Sequence, residues 1–274
     1  MKGISFGQYY PAESVIHRLD PRAKVVMSVL YIVCIFLCKN LSGFLALIVA
    51  SLALILLSHI PVRLVLRSMR PLLLIIAFTS LINIFLTQGE TLLTPPDWRI
   101  KIYAEGIWNA VFMVLRISAL IVGTGIFLTY TTTPIALTDA LEQLLSPLKK
   151  LKVPVHDFAM MMTIALRFIP TSTEETEKIM NAQKARGADF TTGSLIKRAR
   201  ALVPILVPLF VSAFNRAFEL ASAMECRCYH GGEGRTRLKV LRYRPTDWIA
   251  ILLIAAFGVG VFLLNRYGFG YTLR

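Results

Sequence analysis

Apolar residues fall in long blocks separated by short polar or basic stretches. Val25–Cys38 is the first block; it is short for a membrane span and is expected to borrow Ala23 and Lys24, with the lysine snorkelling to the interface. Ahead of it, Asp20 reads as an N-cap and Pro21 as the first helical residue. Lys39-Asn40 is a tight polar turn, and Leu41–Ser58 is a second span that ends at His59-Ile60-Pro61. Arg63, Arg67 and Arg70 lie at helical spacing on a short basic connector before a third span, Pro71–Thr87. Asn83 within it has two open readings, a bond to a neighbouring helix or a local backbone contact. Gln88–Glu105 is a polar loop with Pro95-Pro96 and Trp98, in which Arg99 and Lys101 are the bases. Gly106–Tyr130 is the fourth span, and Trp248–Leu264, capped by Thr246-Asp247, is the fifth. Tyr267, Phe269 and Tyr271 form an aromatic belt at its far end.

The pattern changes between residues 131 and 245. Thr131-Thr132-Thr133-Pro134 offers an N-cap before a proline at the first helical position, and an amphipathic segment runs on to Leu148. Lys149, Lys150 and Lys152 follow, bases become frequent, and no uninterrupted apolar run reaches the ~18 residues of a spanning helix. A long helix is expected over His156–Arg186, with Phe158, Met161, Met162, Ala165, Phe168 and Ile169 as an apolar stripe. Pro170 should kink it, and Glu174, Glu175, Glu177, Lys178 and Lys184 turn its second half toward water. Gly187 suits the left-handed position just past a helix end. After a break at Thr191–Ser194, a second long helix is expected over Leu195–Cys228, interrupted early by Pro204 and Pro208 and closed by Tyr229-His230-Gly231-Gly232. Phe210, Phe214 and Phe218 share one face beside Ala213, Ala217 and Ala221, whose small side chains admit a close neighbour.

Each long helix thus ends on an arginine in a small-residue triplet, Ala185-Arg186-Gly187 and Cys226-Arg227-Cys228. A cation suits a helix C-terminus, and a single such arginine is read as a solvated base. Two of them, with long guanidinium forks, suit two equivalent acidic sockets on a two-fold partner. The apolar stripes of these helices also need covering by this chain or another.

Composition fixes the class. Of 274 residues, 55% are hydrophobic, and the mean hydropathy is +0.62, above that of ordinary soluble domains. The expected fold is all-α: a polytopic membrane protein with about five transmembrane helices and a cytoplasmic coupling domain of long helices. Residues 1–130 form a membrane domain of four spans, 131–245 the coupling-helix domain, and 246–274 a C-terminal transmembrane helix. The net charge of +14 falls beside apolar segments, which fits the inner leaflet and anionic lipid rather than nucleic acid. Bases crowd the loops that place the N-terminus and residues 131–245 in the cytoplasm and the C-terminus outside. Residues 1–22 lack a leading apolar core, so no signal peptide is expected. Cys34 and Cys38 read as small buried hydrophobes. Cys226, Cys228 and His230 are spaced too tightly for a zinc site and have no fourth ligand nearby in sequence. Arg116, inside the fourth span, is either a functional intramembrane charge or a snorkelling base. No Walker A, HExxH, CxxC or GxSxG pattern occurs, so the chain has no recognisable means of hydrolysing ATP.

Gly7-Gln8-Tyr9-Tyr10-Pro11, His17-Arg18-Leu19-Asp20-Pro21-Arg22, Thr131–Pro134, Leu166-Arg167-Phe168-Ile169-Pro170 and the two arginine triplets together resemble the transmembrane T component of energy-coupling factor (ECF) transporters. The likeness covers nearly the whole chain. The first triplet matches that family's Ala-Arg-Gly motif, whereas the second keeps only Arg227 between two cysteines. The resemblance implies a non-catalytic scaffold in a bacterial cell membrane, binding no cofactor itself. It joins two ATPases, which bind ATP and magnesium, to interchangeable vitamin-binding S components. It also implies that Arg186 and Arg227 dock into the ATPases and that the apolar faces of residues 156–228 meet the S component. The rivals are a stand-alone permease, which needs polar or broken-helix features near the midplane, and a membrane enzyme, which needs a clustered acid, His or Cys site. Arg116 and Asn83 are the only polar features of the first kind, and no site of the second kind stands out.

Overall fold

The computed structural model describes residues 9–87, 103–190, 194–231 and 240–267. Gly7 and Gln8, the Pro95–Lys101 part of the polar loop, Thr191, Gly232, and Phe269 and Tyr271 of the expected belt lie outside the described residues. There is no strand among the described residues. The helices are α1 (Val15–Arg18), α2 (Pro21–Leu37), α3 (Leu41–Ser58), α4 (Val62–Met69), α5 (Leu73–Leu86), α6 (Ala104–Thr124), α7 (Pro134–Leu144), α8 (Val155–Ala185), α9 (Leu195–Glu225) and α10 (Pro245–Tyr267). The chain divides into two compact units, residues 1–140 with 240–274, and residues 141–239.

The first unit is built around α2. Ala23, Met27, Tyr31 and Ile35 recur every four residues on its buried face and meet Phe44 and Leu47 of α3, Phe112 and Ala119 of α6, and Val261 of α10. The two cysteines of this region fill small gaps, as their sequence setting suggested: a Cβ added at Gly43 would lie 2.6 Å from Cys38 Sγ, and one at Gly258 would lie 2.7 Å from Cys34 Sγ. Gly123 of α6 has the closest approach, since its Cβ would fall 1.9 Å from the buried Tyr31 ring. A second cluster joins Ile16 of α1, Ile60 and Val65, and Val122, Ile126 and Tyr130.

Several buried polar groups in this unit are paired within the protein, as burial away from water favours. Asp20 caps α2, its carboxylate accepting the Arg22 N–H at 2.9 Å and both arms of the Arg22 guanidinium. Burial opposes ionisation of Asp20, but the Arg22 bonds outweigh it and hold the carboxyl below its ordinary range. Asp247, 1% exposed, takes the Arg244 N–H at 2.7 Å, closing the start of α10 from inside its first turn. Its second oxygen accepts the Asp20 N–H at 2.9 Å, so the starts of α2 and α10 are tied across 227 residues of chain.

Lys24 corrects an expectation. It does not snorkel: it is 1% exposed, and its ammonium donates to the carbonyls of Thr131 at 2.8 Å and His17 at 3.2 Å. These acceptors lie inside the protein, so the amine turns inward. Arg116 also finds a protein partner, donating to the carbonyl of Cys38 at 3.1 Å, the C-cap of α2, where a cation offsets the helix dipole. Asn265 donates to the neighbouring Leu37 carbonyl, and Asn40 donates to Asn265 O at 3.2 Å. The polar turn between α2 and α3 is therefore satisfied by α6 and α10. Asn83 makes a local bond to Thr79 O at 3.0 Å and a longer contact to Met113 Sδ at 3.7 Å, so both of its readings are present.

Among the described residues, five helical segments are long and apolar enough to cross a membrane: Leu41–Ser58, Val62–Leu86, Ala104–Tyr130, Ile196–Glu225 and Pro245–Tyr267. This set differs from the expected one in three ways. The arginine-bearing connector is not separate, because Val62–Leu86 is one 25-residue helical segment with Pro71 in a single tight 3₁₀ turn. The α2 helix has 17 residues, about 25 Å at 1.5 Å per residue, short of a ~30 Å bilayer core. The α9 segment qualifies, although no uninterrupted apolar run was expected there, because Arg216 is the sole charge between Arg200 and Glu219.

Candidate functional site

The second unit presents the two arginine-ended helices, and their ends share one geometry. At the end of α8 the N–H of Gly187 donates to Lys184 O and that of Ala188 to Gln183 O, both at 3.0 Å, with Gly187 at φ +87°. At the end of α9 the N–H of Cys228 donates to Glu225 O at 2.9 Å and that of Tyr229 to Met224 O at 3.1 Å, with Cys228 at φ +52°. Both are the Schellman arrangement, in which a left-handed residue turns the chain back onto the last carbonyls. Arg186 and Arg227 hold the same place in it, one residue before the left-handed step. Glycine adopts that conformation freely, whereas a cysteine does so at a cost. The second triplet thus departs from the first in residue type and keeps its turn.

All six triplet residues, Ala185, Arg186, Gly187, Cys226, Arg227 and Cys228, are exposed. Neither arginine forms an ion pair with any described residue. The helices that carry them are equal in length, 31 residues each. The α8 helix continues through Pro170, and Ser194 caps α9 by accepting the Lys197 N–H.

Between α8 and α9 lies an open groove of about 880 Å³, lined by Ile164, Phe168 and Ser172 on one side and by Phe210, Ala213 and Ala217 among others on the opposite side. The alanine row faces this groove, as its spacing suggested. Arg216 of α9 pairs with Glu175 of α8 in the wall. Tyr229 reaches back to Met160, its hydroxyl 3.0 Å from Sδ. With Glu175 near Arg216 and Met160 near Tyr229, the two helices run antiparallel. His156, at the start of α8, bonds Glu142 of α7 through Nδ1 at 2.9 Å.

The apolar residues singled out from the sequence divide here. Phe168 and Phe210 line the groove together. Phe158, Met161, Met162 and Ala165 are exposed on α8 outside it. Phe214 and Phe218 are exposed and extend an aromatic ladder from Phe210, with ring centroids 4.7 and 6.5 Å apart. Ile164, Ser172 and the Glu175–Arg216 pair were not foreseen, and only the i, i+4 spacing of Ile164, Phe168 and Ser172 could have pointed to one lining face. Arg116 belongs to the other unit and takes no part in this arrangement.

Residues 12–238 match the family model described as CbiQ, cobalt transport protein. The chain is 48% identical over 266 residues to the energy-coupling factor transporter transmembrane protein EcfT of Ruminiclostridium cellulolyticum, covering 97% of this chain and 98% of that one. It is 50% identical over 269 residues to the EcfT protein of Thermosediminibacter oceani, covering 97% and 99%. The chain belongs to the EcfT family. The EcfT protein of Bacillus subtilis is 44% identical over 265 residues, again covering 97% and 99%. Matches of this extent run through both units and both arginine-ended helices, so the likeness extends to the whole EcfT architecture. The chain is accordingly an all-α, multi-pass membrane protein of the transporter class.

Proposed function

We propose that this chain is the energy-coupling scaffold of an ECF-type importer. In this reading it binds no cofactor and hydrolyses nothing. Two cytoplasmic ATPase subunits dock on Arg186 and Arg227, and the exposed apolar faces of α8 and α9 meet an interchangeable substrate-binding S component. Conformational work done by the ATPases on ATP reaches the S component through the two long helices. The chain sits in the bacterial plasma membrane with its N-terminus and the 131–245 region on the cytoplasmic side, where its bases concentrate, and α9, although long and apolar enough to span, is covered there by the S component instead.

The observation that carries this reading is the pair of matched helix ends. Two exposed arginines at equivalent places on equal helices, neither ion-paired within the described residues, suit two like acidic sockets. A guanidinium in such a socket makes charge-assisted forked bonds, stronger than neutral ones. The family membership supports the role, because the relatives are named as transporter transmembrane components. The test is co-purification of ATPase chains with Arg186→Glu/Arg227→Glu. Recruitment should be lost while membrane insertion is kept; normal recruitment by the double variant would reject the docking role.

A further inference from the structure

The Val62–Leu86 segment carries a cationic stripe that neither the fold nor the proposed coupling role uses. Arg63, Arg67 and Arg70 fall at i, i+4 and i+7, on one face of the helix. All three are exposed, and none forms an ion pair with a described residue. No counter-charge is near in sequence: the first turn of α4 has no acidic residue, and the chain has no Asp or Glu from Pro21 through Gly89. The opposite face is fixed, with Val65 buried in the cluster of Ile16, Ile60, Val122 and Tyr130 and Leu64 packed against it. The stripe therefore cannot rotate inward.

Its position along the segment decides what it meets. Twenty-five residues rise about 37 Å, some 7 Å more than a ~30 Å hydrocarbon core. Pro71–Leu86 is uncharged and belongs in that core, so the excess falls at the arginine end. Arg63 and Arg67 then lie at or near the level of the lipid phosphates, and Arg70, about 10 Å further along the rise from Arg63, reaches back toward them along its flexible stem. Val62 and Leu66, exposed beside the stripe, continue the exposed apolar surface of Leu73, Leu74 and Phe78 on α5. A surface with phosphate-binding forks next to exposed aliphatic groups suits a lipid, which offers a phosphate and an acyl chain side by side.

We propose that Arg63, Arg67 and Arg70 form a binding site for anionic phospholipid, engaging the headgroup phosphates of the leaflet at the α4 end of this span. The stripe fixes the depth and rotation of the segment in the bilayer and gives the protein a preference for phosphatidylglycerol over zwitterionic lipid.

The test uses the full-length protein in nanodiscs of equal parts phosphatidylglycerol and phosphatidylcholine, each doped in turn with a photocrosslinking form of one lipid. Labelling of the peptide spanning residues 61–72 is then measured. The phosphatidylglycerol probe should label it roughly tenfold more than the phosphatidylcholine probe, given the usual attraction of a basic residue to an anionic surface. Arg63→Gln/Arg67→Gln/Arg70→Gln should bring the two probes level, the corresponding triple lysine variant should keep most of the preference, and excess inorganic phosphate should not compete. Equal labelling of the unaltered protein, an unchanged preference in the glutamine variant, or full competition by phosphate would each overturn the proposal. Should the triple glutamine protein fail to fold, Arg67→Gln alone decides, with a preference reduced by roughly threefold or more expected and no reduction refuting the site.

Discussion

The two units of this chain differ most in how their polar groups are held. In the unit built around α2, polar groups are turned inward and paired: Asp20 with Arg22, Asp247 with the Asp20 and Arg244 amides, Lys24 with two carbonyls, Arg116 with the end of α2. In the unit of α8 and α9, large apolar side chains are turned outward. Phe218 is 71% exposed, Phe210 65% and Phe158 61%. Cross-links buried in low dielectric hold a structure in one arrangement, because releasing one strands its partner. An exposed apolar surface gains nothing until something covers it. The first unit exposes apolar side chains as well, Leu74 at 77% and Leu252 at 71%, so what sets it apart is the inward pairing of its polar groups, which makes it read as a fixed frame.

The sharpest way to break this contrast is Asp247→Ala. It strands the buried Asp20 amide and the part-buried Arg244 amide, and removes a negative charge near Lys24 and Arg22. A loss of about 3 kcal/mol is expected, on the scale of other broken buried charge networks. It would appear as a large fall in melting temperature in detergent; an unchanged melting temperature would mean the frame does not rely on the Asp20–Asp247 tie.

A smaller effect separates the two helix ends. Cys228→Gly should stabilise the end of α9 by about 1 kcal/mol, by relieving a left-handed cysteine, and Gly187→Ala should destabilise the end of α8 by a similar amount. No atom lies within 4 Å of a Cβ built at Gly187, so only backbone strain is at stake there. Hydrogen exchange of the last-turn amides reads both changes, and opposite signs are required.

The smallest effect concerns the N-terminal segment. His17 Nε2 donates to the Tyr10 carbonyl at 2.9 Å, which leaves Nδ1 of the neutral ring to accept from the Ser14 hydroxyl at 2.7 Å. Burial lowers its pKa below the ordinary 6.5, with Lys24 and His59 acting the same way and the Tyr10 carbonyl opposing. The detached segment then takes up a proton more readily than the docked one. Docking is therefore at full strength above pH 6.5 and weakens as pH falls below it. Amide exchange near Tyr10, whose N–H bonds Tyr130 O, should quicken from pH 7.5 to 5.5 beyond the intrinsic pH trend, and His17→Gln should remove that excess; an excess that survives the substitution would exclude His17 as its source.

Local signals were legible in the sequence. Asp20 and Pro21 start α2, His59 ends α3, and Gly187 closes α8, because caps depend on a few adjacent residues. Both arginine triplets stood out for the same reason. What escaped was set by distant partners. Lys24 looked like a snorkelling base because its acceptors, including Thr131, are contributed by tertiary contact. Arg216 went unremarked within the apolar stretch of α9, because the charge that matches it, Glu175, lies 41 positions earlier. The left-handed turn at Cys228 was hidden because cysteine gives no sign of it.

The most direct test of the matched ends is the subunit count of intact complexes by native mass measurement, comparing the unaltered chain with Arg186→Glu and Arg227→Glu separately. Equivalent sockets predict two ATPase chains on the unaltered protein and a similar loss of ATPase from each single variant. Full occupancy in either variant would contradict the equivalence of the two arginines.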